Sequence, residues 1–240
     1  MKPMTNFQGL KKLVMLAMLC QTTLAANAEQ ASSLSCPPIR HSYGPYDYRT
    51  APQEQRDLVE GPHFHPNVEA LKKNTLSPNR NYIMVPGGEI GYTLRAFPNH
   101  PRALLALSRL SFLEKTDKPT GLGNSVMCYF QEAIKFKPDD PMVRVIYGIH
   151  LSKKGDVEQA LKQFDKAKEL GEESASLYYN LGLAYTDLKR YPDALQAAHK
   201  AYALGAQLPG LRNKLERAGA WQDPVVESPT VQREPDNTTQ

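Results

Sequence analysis

At 240 residues, with 29 lysines and arginines against 25 acids, the chain is long enough to bury one large core or two small ones. Three of those bases, Lys2, Lys11 and Lys12, fall in an N-terminal leader, so the formal charge of +4 drops to +1 once it is removed (26 bases against 25 acids). No basic stripe of the kind a nucleic-acid binder needs remains, and that class is set aside.

The leader comes first in chain order. Met1-Lys2 and Lys11-Lys12 precede an apolar run, Leu13 to Cys20, and a small-x-small site, Ala26-Asn27-Ala28. That is the layout of a secretory signal peptide over residues 1–28. The apolar run is well short of the ~20 residues a spanning helix needs, so no permanent membrane anchor is expected. Neither Cys20, after Leu19, nor Cys36, after Leu34-Ser35, fits a bacterial lipoprotein signal. The mature chain is expected in an oxidising compartment, the periplasm first and the medium as the alternative.

Loss of the leader also removes Cys20 and leaves two cysteines, Cys36 and Cys128. An even pair in an exported chain points to a disulfide. Closing a loop of about 90 residues stabilises by roughly 4–5 kcal/mol in the chain-entropy model. The competing reading is two thiols, with Cys128 a small core residue of a helix.

Residues 29–88 form a loop-rich segment. Cys36-Pro37-Pro38, Gly44-Pro45, Pro52, Gly61-Pro62, Pro66, Pro78 and Pro86-Gly87-Gly88 interrupt any helical period. Only two short helices are expected, over about Gln53 to Glu60 and about Asn67 to Lys73. Tyr43, Tyr46, Tyr48, Phe64 and Tyr82 give the segment apolar anchors, so it should lie as a wrap across a helical body.

From Glu89 to Trp221 the pattern is helical and repeats. Shifted by 34 residues, Gly148 meets Gly182, Ala160 meets Ala194, Leu161 meets Leu195, and Leu170-Gly171 meets Leu204-Gly205. Asp140 before Pro141 reads as one helix start, Asp156 with Gln159 as a second, Ser174 as a third and Tyr191-Pro192 as a fourth. Gly171 and Gly205 read as left-handed helix ends. Gly148 and Gly182 lie mid-helix, at a cost of about 1 kcal/mol each, where a neighbouring helix should cross closely. A looser unit precedes these, with an insertion near Asp117 to Asn124 and Ser125 capping the helix that carries Cys128. The stretch Leu208 to Trp221 should close the apolar end as a capping helix. Residues 222–240 are polar, hold three prolines and read as a disordered tail.

Tyr178, Leu181, Gly182, Tyr185, Ala194 and Ala201 in one unit, and Tyr147, Gly148, Ala160, Phe164 and Ala167 in the other, resemble the tetratricopeptide repeat. Glu172 and Ala206 stand where that pattern closes on proline. The segments 47–49, 93–104 and 208–212 are similar to a group of bacterial exported proteins with such repeats, a resemblance that implies no reaction or ligand. The resemblance implies a mainly α fold, a short α-α solenoid of this kind, that binds a protein or peptide on the face of its first helices. On that face it places Arg102, Leu105, Arg109 and Phe112, then Met142, Val145 and Ile149, then Tyr179, Asn180 and Leu183. The wrap could instead fill this groove itself.

Chemistry is sparse. His63-Phe64-His65 is the best metal candidate, but residues two apart align only on a strand and no third ligand lies nearby in sequence. Pro86-Gly87-Gly88-Glu89 lacks the lysine of a phosphate loop and reads as a helix start. No nucleophile–base pair stands out. The expected function is therefore an exported adaptor or scaffold, without catalysis or cofactor. A small-ligand or metal site formed around His63 and His65 against the repeats is the alternative.

Overall fold

A computed structural model of the chain describes residues 36–41, 43–73, 76–77, 80–171 and 173–224. The leader expected over residues 1–28, residues 29–35 and the expected tail beyond Pro224 lie outside the described residues. The chain divides into two compact units, Met1–Pro37 and Pro38–Gln240, and every element below belongs to the second.

The loop-rich stretch carries α1 (Gln53–His63), α2 (Pro66–Glu69) and a two-stranded antiparallel ribbon, β1 (Leu76–Ser77) with β2 (Arg80–Ile83). α1 runs one turn further than its sequence implies, taking in Pro62, and α2 ends at Glu69, four residues before the expected Lys73. His65 caps α2, accepting the Asn67 N–H on Nδ1 at 3.3 Å. Leu71 then turns the chain at a positive φ of 56°.

The helical body follows as α3 (Pro86–Ala96), α4 (Pro101–Glu114), α5 (Val126–Phe136), α6 (Pro141–Lys154), α7 (Val157–Leu170), α8 (Ala175–Asp187), α9 (Tyr191–Ala203) and α10 (Gly210–Arg217). Pro141 and Ala175 start the first helices, and Val157 and Tyr191 the second helices, of two units 34 residues apart. Short connections make α6–α7 and α8–α9 antiparallel hairpins, and adjacent pairs pack on one another. This is a TPR-like α solenoid. The α4–α5 pair is its expanded unit, joined through residues 115–125.

Local chemistry sets most of the boundaries. Asp140 accepts from the N–H groups of Met142 and Val143, Asp156 from Gln159, Ser174 from Leu177 and Ser125 from Cys128. Gly171 is the exception. It is extended (φ −74°), not left-handed, and a Cβ there would sit 2.2 Å from Leu177 Cδ2. Its reason is the close approach of the next helix rather than backbone conformation.

Three apolar clusters fill the interior. One joins Phe64, Val68, Leu71 and Met84 of the wrap to α3, α4, α5 and the start of α6. A second runs from Val145 on α6 through α7, α8 and α9 to Leu211 and Leu215 of α10, which close the apolar end. A third seats Tyr43, Tyr46 and Tyr48 around Ala51, Val59, Ala96 and Phe97. The wrap from Tyr43 to Leu71 is therefore part of the core. Among the described residues no helix is long and apolar enough to cross a membrane, and Cys36 and Cys128 are disulfide-bonded.

Candidate partner-binding groove

The face that the first helices expose is built mainly from α4. Spacings of three and four residues put Arg102, Leu105, Arg109, Phe112 and Leu113 on one side of it. Leu105 is 37%, Phe112 36% and Leu113 59% exposed. On α6, Met142 and Ile149 are half-buried, and on α8 Tyr179 and Leu183 are too. The stripe that results is apolar and reachable from outside.

Three of the expected groove residues have other tasks. Val145 is fully buried in the second cluster, because α6 carries α4 on one side and α8 on the other and this position faces its neighbours. Asn180 turns its amide back to donate to the Ser176 carbonyl at 2.8 Å. Arg102 is held by Glu69 at the end of α2, with its Nε 2.8 Å from Oε1, and lies over the Phe64 ring. The wrap thus pairs with the Arg102 end of the stripe without burying it, and Leu105, Arg109 and Phe112 are exposed beyond it.

Beside Arg109 the stripe opens into a cavity of about 470 Å³, lined by Ala70 and Leu71 of the wrap, Arg109, Phe112 and Leu113 of α4, and Lys153 of α6. On the other side of Phe112 lies a second cavity of about 380 Å³, with Ser111, Lys115, Thr116, Asp117, His150 and Lys154 in its wall. The His150 ring backs Phe112 at 5.3 Å between centroids, and its Nδ1 meets the Ser108 hydroxyl at 3.0 Å. Burial, reinforced by the nearby Lys154 charge, pushes the His150 imidazole down to about 4. Leu113, Lys153 and Leu71 were not candidates from sequence. Leu113 sits one residue off the repeat positions, and Leu71 is 38 residues from Arg109 along the chain.

Polar side chains collect where the wrap meets the helix starts. His100 is wholly buried and caps α4, with Nδ1 accepting the Ala103 N–H at 3.2 Å. Its Nε2 therefore carries the proton and donates to Glu60 Oε1 at 2.8 Å, while the Tyr48 hydroxyl donates to the same oxygen at 2.7 Å. The His100 bond, followed by that from Tyr48, holds the Glu60 carboxyl down to about 2 against the opposing effect of burial. Burial and the Glu60 charge push the Tyr48 hydroxyl up to about 12. Next to this, Asn99 accepts the Tyr48 N–H at 2.9 Å and donates to Asp47 at 2.7 Å and Asp140 at 2.9 Å. Burial acts to raise the Asp47 carboxyl, but hydrogen bonds from Arg49, Asn99 and Lys137 hold it well below the carboxylate range.

His63 and His65 do not converge. His63 donates to Glu89 at 2.6 Å and stacks on Tyr92, whereas His65 meets the Met84 sulfur at 3.0 Å. Neither lines any of the cavities described above, and among the described residues no group of three histidines, cysteines or acids could hold a metal ion. Apart from Arg56 Nε, which is buried without a hydrogen-bond partner, the polar groups described here bond to one another, which is the arrangement of a joint between wrap and repeats.

With that geometry in view, two likenesses can be placed. A family model described as TPR repeat matches residues 151–189, from the last turn of α6 through α7 and α8. The human Protein O-mannosyl-transferase TMTC3 is 28% identical over 148 residues, an alignment that covers 55% of this chain and 15% of that protein. The chain therefore spans a small part of the length of the curated relative it matches. Both likenesses support the resemblance to tetratricopeptide repeats.

Proposed function

We propose that this chain is an exported adaptor that holds a segment of a partner protein in the groove of α4, α6 and α8, without catalysis. The observation that carries the reading is the apolar stripe of Leu105, Phe112, Ile149 and Leu183, left open beside a wrap that is itself fixed to the helix starts. Repeats of this kind generally mediate protein–protein contact, and an exposed row of aliphatic and aromatic side chains on a rigid scaffold suits an extended peptide or a partner helix. The group-transfer activity in the name of the human relative is not carried over, because the shared stretch is 15% of that protein. The leader over residues 1–28 supports export, to the periplasm in the first instance, and the bonded Cys36 and Cys128 suit an oxidising compartment. The bacterial exported proteins with similar segments fit the same picture.

The test is photo-crosslinking in the source cells. A photoreactive residue at Leu105, Phe112 or Leu183 is expected to capture one partner from the fraction released by osmotic shock, while the same residue at Lys162 or Lys166 on α7 captures none. Equal capture from both faces, or a protein that stays in the cytoplasm with its leader attached, would overturn the reading.

A further inference from the structure

The two cavities around Phe112 differ from the rest of the groove in charge. Their walls carry Arg109, Lys115, Lys153 and Lys154, and one carboxylate, Asp117. Asp117 is already engaged by Lys154 at 2.8 Å. Arg109, Lys115 and Lys153 are exposed and form no ion pair among the described residues. Lys115 and Lys153 stand at helix ends, where they offset the carbonyl dipoles. Arg109 does not, since it lies well before the last turn of α4. Arg102, about two turns earlier on the same stripe, has its acid supplied by the wrap in Glu69. No described carboxylate makes a contact ion pair with Arg109 or Lys153: Glu69 acts on Arg109 only from a distance and spends its hydrogen bonds on Arg102. The apolar floor beside them, Phe112, Leu113 and Leu71, faces an opening of about 470 Å³. That is room for one large apolar side chain.

We infer that this end of the groove takes an acidic segment of the partner, with a leucine or phenylalanine seated between Leu71 and Phe112 and flanking Asp or Glu side chains paired to Arg109 and Lys153. The inference rests on the adaptor reading and narrows it to one partner chemistry. Opposite charges across such a rim set orientation and rate of encounter, and the apolar anchor supplies the dwell time. Binding should weaken as the screening length shortens from ~10 Å at about 0.1 M salt to ~3 Å at about 1 M.

The probe is a phage-displayed library of random dodecapeptides selected on the full mature protein, with the winners measured by fluorescence anisotropy. Enriched peptides are expected to place Asp or Glu beside Leu or Phe. Reversing Arg109→Glu together with Lys153→Glu should raise their Kd at least about tenfold, which is about 1.4 kcal/mol. Lys135→Glu with Arg217→Glu, a reversal of equal size elsewhere, should leave Kd unchanged. Because all four side chains are exposed, circular dichroism should report the same fold throughout. Winners without acidic excess, insensitive to the first reversal yet abolished by Leu105→Arg, would overturn the acidic partner while leaving the groove standing. A selection that yields no binder, or a single-stranded oligothymidylate that displaces the winners, would overturn it too.

Discussion

Gly148→Leu should unfold this protein at a temperature lower by about 6–12 °C, the largest loss expected from any single change in the repeats. A Cβ on Gly148 would stand 2.4 Å from Cε1 and 2.7 Å from Cδ1 of Phe164, and 3.1 Å from the Ala160 carbonyl. Phe164 is fully buried between α6 and α8, with its ring against Tyr185, so it has nowhere to go. Overpacking a filled core costs about 1–3 kcal/mol and more where the overlap is severe; a leucine adds four carbons where its Cβ alone already clashes, so about 4 kcal/mol is expected. The helix propensity regained on losing glycine, about 1 kcal/mol, does not offset that. A net loss of about 3 kcal/mol corresponds to the shift given, at ~2–4 °C per kcal/mol for a chain of this size. Gly182→Leu is the informative comparison. Its Cβ would meet Leu211 Cδ2 at 2.6 Å, the far end of a side chain on the short terminal helix α10. That methyl can rotate and α10 can shift outward, so the loss should be smaller. Equal melting of the two variants would contradict the packing described.

Acid should loosen the joint between wrap and repeats before it unfolds the repeats themselves. His100 is neutral because Nδ1 is committed to the α4 cap and the ring is sealed from water; burial lowers its affinity for a proton, and the nearby Arg102 works in the same direction. A histidine whose folded pKa is depressed contributes stability that is complete above its unfolded value of about 6.5 and lost as pH falls below it. His150, at about 4, has the same sign over the same window. Glu60 adds to both, since a carboxyl held at about 2 is stabilising above about 4.5 and loses that contribution as pH falls toward 2. Melting temperature is therefore expected to fall from about pH 6.5 downward and more steeply below about 4.5. His100→Asn keeps an N-cap acceptor but removes the histidine donor to Glu60 and leaves Tyr48 alone on that oxygen. It should cost about 1–3 kcal/mol at neutral pH and flatten the profile between about 6.5 and 4, with His150 supplying what slope is left. Limited proteolysis should cut near α1 first. A profile as steep in the variant as in the wild type would show that His100 does not clamp the wrap.

What the sequence made visible was local. Asp140, Asp156, Ser174 and Ser125 cap helices as their spacing implies, because the donors they satisfy lie two or three residues away. The 34-residue register fixed both hairpins for the same reason. What it hid was carried by long-range contacts. The pairs His100–Glu60 and Asn99–Asp140 join residues 40 and 41 apart, and the Glu69 partner of Arg102 lies 33 away. Val145 sits at a repeat position that reads as groove, and only the packing of α4 and α8 on either side shows it to be core. Gly171 looked like a left-handed terminus, yet Leu177 of the next unit is what excludes a side chain there. The contacts of the C-terminal end also continue past the boundary expected at Trp221, since His199 donates to the Gln222 carbonyl at 2.7 Å and Trp221 to Asp223 at 3.1 Å.

The central claim is that the open stripe on the first helices is where a partner protein binds. Leu105→Arg combined with Phe112→Ala places a charge and a vacancy in that stripe at two exposed positions. Isothermal titration of the crosslinked partner should show binding weakened at least about tenfold, roughly 1.4 kcal/mol, while circular dichroism reports the same fold and the melting temperature falls by no more than the lost Phe112–His150 packing accounts for. Undiminished affinity in a fully folded variant would contradict the account.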